Sequence, residues 1–322
     1  MPSDREIINL LRKYDALRLG ESPWPTYNSN EGERYRVDWE SLFPKLRGWR
    51  QIEEERIWDI QNDRWNPEWD RNFLGTLENN LNREEPTDDE LEEIGKNLLW
   101  DVCAWYQPIH FFGEHWGIYI REDCVLQQAT ILSRFIQWAD RRRGSLTGLA
   151  KCLIRASVYA FFLHEHYHHK IESLGLRLHV VDRKSCYLPY QAKVYNATKG
   201  KDAQLEEALA NADTYYRLDT EPYKSWITDD VVAATWQYLK KRFPHDPPGY
   251  RMATHYLSKS DFDAGENLLH GQMHEATVTP MQHPNEWNVA TRLTQSLFKV
   301  TDNIWVIVGP RGRSVLPTRG RV

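Results

Sequence analysis

Apolar residues recur at spacings of three and four between residues 145 and 163. Leu149, Leu153, Ala156, Ala160 and Leu163 form one stripe, which Cys152 and Phe162 widen. That period marks a helix with a buried face. Ser145 or Thr147 can cap its start. No proline interrupts residues 145 to 188, and Gly175 can close the helix in a left-handed conformation. The pattern changes period upstream. Residues 107 to 120 carry two aromatic and β-branched runs around a Gly-containing turn, which predicts a β-hairpin. Thr87 with Glu90 three residues on makes a capping box for a helix running to about Trp105. Further helices are predicted over Glu122 to Arg142, Asp202 to Leu218 (with Asp202 as N-cap), Asp229 to Arg242, Asp261 to Met273 and Asn288 to Ser296, and strands at Leu297 to Val300 and Ile304 to Val308. Near the N-terminus, Ile7 to Leu17 reads as a short amphipathic helix and Gly20 to Tyr35 as loop.

These elements predict an α+β protein, mostly helical with a small β-sheet. Three regions are expected: a Trp-rich helical accessory region over 1–95, a core over 96–243, and a small α+β domain over 244–322 beginning at the Pro244-His-Asp-Pro-Pro-Gly boundary. Fourteen Trp, sixteen Tyr and ten Phe supply much of the core in a chain of low mean hydropathy. In the first region Trp49, Trp58, Trp65 and Trp69 alternate with charges, but acids outnumber bases there, so packing is expected rather than base stacking.

The net charge of −5 gives no polybasic signature, so nucleic acid is not an expected partner. The arginines of the final residues 310–322 are expected to form a loose or docking terminus. No long apolar run predicts a membrane span. Cys103, Cys124, Cys152 and Cys186 are widely spaced with no C-x-x-C, and are expected to be reduced thiols of a cytoplasmic protein, with no signal peptide at Met1.

Candidate chemistry concentrates at the end of the long helix. Four of the twelve histidines fall within residues 164 to 169, in the string His164-Glu165-His166-Tyr167-His168-His169. Residues four apart on a helix share a face, so His164 and His168 can offer both imidazoles to one metal ion. Glu165 lies beside that face, within reach of a metal-bound water, and H-E-x-x-H is the pattern that zinc-assisted hydrolysis uses. Gly at 171 and His at 174, which the metzincin pattern would require, are replaced by Ile171 and Leu174. A third ligand must come from elsewhere. Glu206 and Glu207 open the Ala-rich helix after Asp202. Asn211 follows Glu207 by four residues, sharing its face, whereas Ala210 follows Glu206. Glu172, His169 and His166 read as neighbours of the site or surface groups.

Glu-x-x-Ala-Asn (207–211) after H-E-x-x-H (164–168) resembles the gluzincin-type arrangement of the ImmA/IrrE family of metallopeptidases, over roughly residues 100 to 220. The resemblance implies a zincin-like core, Zn2+ held by His164, His168 and Glu207, and Glu165 as general base. The chain departs from the family in the 38 residues between His168 and Glu207 and in Asp213-Thr214-Tyr215-Tyr216, where the family has an aromatic-Ala pair. The implied activity is a metalloendopeptidase acting on a specific protein or peptide substrate, of a regulatory or bacterial defence kind. Tyr216 is the first candidate for the hydroxyl that aids the oxyanion, with Tyr215 and His255 as alternatives. By the same resemblance Trp116 to Ile120 is the candidate strand for pairing with substrate. The rival expectation is a non-catalytic interaction or toxin-like module on the same scaffold. A third is a structural zinc closed by a fourth ligand such as His169 or Glu172.

Overall fold

The computed structural model describes residues 32–43, 71–136, 146–182, 185–218, 226–277, 300–309 and 314–321, with residues 5, 8, 9 and 220 besides. In chain order the main elements are β1 (Glu33–Val37), α1 (Arg71–Leu81), α2 (Asp88–Asn97), β2 (Ala104–Gln107), β3 (Gly117–Arg121), α3 (Glu122–Ser133), α4 (Leu146–Asp182), α5 (Leu205–Arg217), α6 (Asp229–Arg242), α7 (Lys259–Ala276), β4 (Ile304–Val308) and β5 (Thr318–Arg321). Most of the helix expected at Ile7 to Leu17, the four tryptophans from 49 to 69, most of the strand at Leu297 to Val300 and the helix at Asn288 to Ser296 lie outside the described residues.

One helix organises the rest. α4 is 37 residues long and continues past Gly175, where the sequence predicts its end. Gly175 serves close packing instead: a Cβ there would sit 2.8 Å from the Cβ of Tyr187, so the segment after the helix folds back onto this point. By length and composition α4 is long and apolar enough to cross a membrane, and 78% of its most apolar window is buried inside the fold. α1, α3, α5, α6, β2 and β3 all pack on it. Leu153, Ala156, Ala160 and Leu163 are fully buried, as their spacing requires.

The sheet has the order β2-β3-β4-β1-β5. It is antiparallel except for the parallel β3–β4 pair, in which Ile118 faces Ile304 and Ile120 faces Val306. Ala104, Tyr106, Ile118, Ile120, Ile304, Val306 and Val308 share a core with the apolar face of α4. On the other side Trp105, Tyr119 and Trp305 stack in succession, with Arg34 and Arg36 over Trp305.

The sheet draws its strands from residues 33–37, 104–121 and 304–321, so all three expected regions contribute to it. Several other expectations are corrected. β3 is an interior strand, hydrogen-bonded to β2 on one side and β4 on the other, so Trp116 to Ile120 offers no free edge; the end strand beside it is β2. The capping box of Thr87 and Glu90 is present, but its helix stops at Asn97 and the chain extends into β2 by residue 104. Gln204 rather than Asp202 precedes α5, because Asp202 is engaged by Arg251 and the Gly249 N–H. β1 begins at Glu33, inside the predicted loop. The C-terminal arginine stretch is not loose over its described part. β5 pairs with β1, and Arg319 bridges Asp38 and Glu40. Cys103 and Cys124 form a disulfide, where reduced thiols are expected, because the β2–β3 hairpin carries the two Cα atoms to 5.4 Å. Cys152 and Cys186 are buried free thiols.

A buried carboxylate ties β2 to α4. Glu172, fully enclosed, accepts the N–H groups of Ile109 (3.0 Å) and His110 (2.8 Å), the His110 ring Nδ1 (2.5 Å) and the Tyr106 hydroxyl. Burial would raise its pKa, but the bonds from His110 and Tyr106 hold it below the usual carboxylate range. His169 meets the same Tyr106 hydroxyl through Nδ1 at 2.8 Å and stacks on Trp116. Glu172→Ala would strand these donors in a dry interior. It is expected to cost about 3 kcal/mol or more in urea unfolding, whereas Lys96→Ala, which removes an exposed pair with Glu92, should change stability by less than about 0.5 kcal/mol. Equal effects would rule out the bracing role.

Candidate metal centre

α4 and α5 bring the polar groups together. α4 supplies His164, Glu165 and His168 from its buried face, and α5 supplies Glu206, Glu207 and Asn211. Small buried residues Ala208, Ala210 and Ala212 on α5 suit close helix approach. His164, His168 and Glu207 form a group that could hold a metal ion, and among the described residues that group has three members. Nε2 of His164 lies 3.2 Å from Oε2 of Glu207, Nε2 of His168 lies 3.4 Å from the same oxygen, and the two Nε2 atoms are 3.4 Å apart. A tetrahedral ion with bonds of 2.0–2.1 Å needs ligand atoms about 3.3–3.4 Å from one another. The three donors therefore fit three corners of one coordination tetrahedron, with the fourth left to the pocket.

The outer atoms of the ligands are held in place. Nδ1 of His164 meets Oδ1 of Asn211 at 2.9 Å, and Nδ1 of His168 meets Oε1 of Glu206 at 2.7 Å. Both partners are acceptors, so each Nδ1 carries a proton and, in the neutral ring, each Nε2 presents its lone pair inward. Glu206 also accepts from the Tyr190 hydroxyl at 2.5 Å, and Glu207 accepts from the Tyr195 hydroxyl. The His164 ring lies between Trp100 (centroids 5.0 Å) and Tyr250 (5.8 Å). Behind Asn211, Asp246 accepts Trp100 Nε1 at 3.0 Å and Arg242 Nε at 2.9 Å, and Arg242 lies over the Trp100 ring. Asn211 thus shares the orienting role its position after Glu207 predicts with a network the sequence does not announce.

Burial and charge shift the site's protons. Burial would depress the pKa of His168, but the Glu207 charge and the bonds to Glu206 and Glu207 hold it well above the usual imidazole range. Burial would raise Glu207, but the His168 charge and the bonds from both histidines keep it well below the carboxylate range. Without a cation the group thus holds a proton on His168. Burial raises Glu165 to about 7, with the neighbouring histidines pulling down and Glu207 and Asp101 pushing up.

The predicted residues do not all converge. One pocket is lined by Asp101, Ala104, Trp105, His164, Glu165, His168, Tyr195, Lys199, Glu207 and Tyr250. His164, Glu165, His168 and Glu207 are in it. Tyr216 is not: it packs against Phe262 and Tyr215, and Tyr215 packs against Trp236. His255 is exposed on the 3-10 segment Tyr250–Tyr256, outside the lining. The hydroxyls at the site belong instead to Tyr195 and Tyr250. Tyr195 ends a π-helical turn, Gln191–Tyr195, a conformation that gathers at functional sites. No periodic pattern singles out these tyrosines. Glu206 is not in the ligand group, and Glu172 and His169 are committed to Tyr106 on β2, so neither supplies the fourth ligand that a structural zinc would need. His166 meets Arg217 at 2.9 Å.

No protein-family model, curated protein or solved structure matches this chain.

Two outcomes follow from these charges. Metal uptake must displace the His168 proton, so affinity for a divalent ion, read by competition with a chromogenic chelator, is expected to fall steadily as pH drops and to fall at least tenfold in Glu207→Gln. The raised pKa of Glu165 has the opposite sign to a stabilising carboxylate. It costs nothing below the unfolded value near 4.5 and penalises the folded state increasingly as pH rises towards 7. Metal-free Glu165→Gln should therefore exceed wild type in unfolding free energy at pH 8 by up to about 3 kcal/mol, with a higher melting point, and match it at pH 4. A melting point unaffected at pH 8 would contradict the assignment.

Proposed function

We propose that the protein is a zinc-dependent metallopeptidase that cleaves a specific protein substrate. The observation that carries this reading is the spacing of three buried donor atoms, 3.2 to 3.4 Å apart, with a carboxylate of near-neutral pKa in the same pocket. Two imidazoles and one carboxylate at tetrahedral spacing, with one corner free, form the donor set of a catalytic zinc site. The resemblance of His164–His168 and Glu207–Asn211 to the ImmA/IrrE pattern supports the same choice. Bound zinc supplies Lewis acidity, polarising a carbonyl and lowering the pKa of water from 15.7 towards ~7.

The chain's own groups do the rest. Glu165, held near neutrality by burial, is poised to take a proton from the attacking water and pass it to the departing amine. Tyr250 and Tyr195 line the pocket with their hydroxyls donating to Asp101 and Glu207, and either would have to turn that proton from its carboxylate to the substrate oxygen as negative charge develops there. They take the place expected for Tyr216. Ala104 and Trp105 of β2 line the pocket, and β2 stands at the end of the sheet, so β2 replaces Trp116 to Ile120 as the strand that would pair with an extended substrate. A pocket lined mostly by buried side chains, with Asp101 and Lys199 exposed at it, suits a selected segment of a partner protein rather than general digestion.

The test is Glu165→Gln compared with wild type in cells by proteomics of newly formed protein termini. The variant should keep one zinc per chain and lose cleavage by about 10²–10⁴-fold. Purified protein without stoichiometric zinc, or a variant that still cleaves, would overturn the proposal.

A further inference from the structure

One charged group in the pocket has no part in holding the ligands. Lys199 is the only lysine or arginine among the lining residues. Two of the three acids lining the pocket are already engaged, Glu207 by both histidines and Tyr195, and Asp101 by the Tyr250 hydroxyl, and the third, Glu165, is the proposed base. Among the described residues no carboxylate lies within ion-pair distance of Lys199, although the chain carries more acids than bases. Its side chain is exposed.

The backbone beneath Lys199 is fixed. Gly200 takes φ +71°, a left-handed turn, and donates its N–H to Oε1 of Gln204 at 2.8 Å. Lys201 N–H closes on Thr198 O at 2.9 Å, and Gln204 N–H on Lys201 O at 3.0 Å. Gln204 also reaches Glu207 through Nε2, at 3.4 Å. The turn that places Lys199 is therefore tied to the helix that carries a candidate ligand. A lysine on such a mount offers a compact ammonium on a flexible stem to whatever enters the pocket.

We infer that Lys199 is a specificity-determining residue that pairs with a carboxylate of the substrate beside the reacting bond. The inference rests on the metallopeptidase reading and names its substrate class. Two sources share the chemistry: the side chain of an aspartate or glutamate, and the C-terminal carboxylate of a chain. The first makes the enzyme an endopeptidase selective for acidic neighbours, and the second makes it a carboxypeptidase.

Three hydroxamate-capped amino acids with the same metal-binding head separate these outcomes: the alanine amide, the alanine free acid and the glutamate amide. Binding to the zinc-loaded, full-length protein is measured by calorimetry, with no turnover needed. One acid-bearing probe should bind about three- to tenfold more tightly than the alanine amide, the range open to a partly exposed ion pair. The free acid winning identifies a C-terminal carboxylate, and the glutamate amide winning identifies an acidic side chain. Lys199→Gln should erase the preference and Lys199→Glu should reverse it, each read as the ratio of acid-probe to alanine-amide affinity within the same variant. Equal binding of all three probes to wild type, or a preference that survives Lys199→Gln, overturns the inference and leaves the metal centre standing. Failure of the alanine amide itself to bind the zinc-loaded protein overturns the metallopeptidase reading and this inference together.

Discussion

The structure depends on a polar clasp inside an apolar interface. His164 and His168 of α4 meet Glu206, Glu207 and Asn211 of α5 through four ring contacts of 2.7 to 3.4 Å, all in the dry interior. Such groups are costly to bury singly, and burying them together is tolerable only if each finds its partner. That requirement fixes the rotation of α4, the register of α5 and the orientation of both rings at once. Three donors are left converging on one point, where a proton or a metal ion is needed to hold them.

The surrounding elements serve that constraint. The excursion between α4 and α5 supplies Tyr190 to Glu206 and Tyr195 to Glu207, so the 38 residues that separate His168 from Glu207 build part of the site. Trp100 and Tyr250 close on the faces of His164, and Asp246 with Arg242 anchors Trp100 and Asn211 from behind. One turn beyond His168, Glu172 fastens the short helical turn after β2 (Ile109–Phe112) to the same helix. α4 thereby holds the proposed zinc ligands and the strand that would align substrate as one rigid unit. Rigid support of this kind keeps catalytic groups within the tolerance that chemistry requires.

Local signals in the sequence were strong where one element sufficed. The three-four spacing of Leu153, Ala156, Ala160 and Leu163 marked α4, the Thr87–Glu90 pair marked the start of α2, and Asp229 to Arg242 matched α6. His164, Glu165 and His168 were legible because one helical turn places them on or beside one face. Glu207 was separable from Glu206 because Asn211 follows it at four. The misses share a cause. Gly175 looked like a helix end because a close approach by Tyr187, 12 residues later, leaves no local mark. β3 looked like an edge because its second neighbour, β4, lies nearly 200 residues away in the chain.

In the sequence by itself, local repeats of 3.6 residues and one capping box were enough to mark α4, α6, the start of α2, the His-Glu-His face and the matching Glu-Asn face, because each lies within one segment. Only the tertiary structure decided which tyrosines reach the pocket, that β2 and not β3 ends the sheet, that Cys103 meets Cys124, and that Lys199 stands at the site. Each of these depends on contacts between segments far apart in the chain. Long-range packing selects such contacts by burial and hydrogen bonding, and a single strand of letters carries no record of which distant partner will satisfy them.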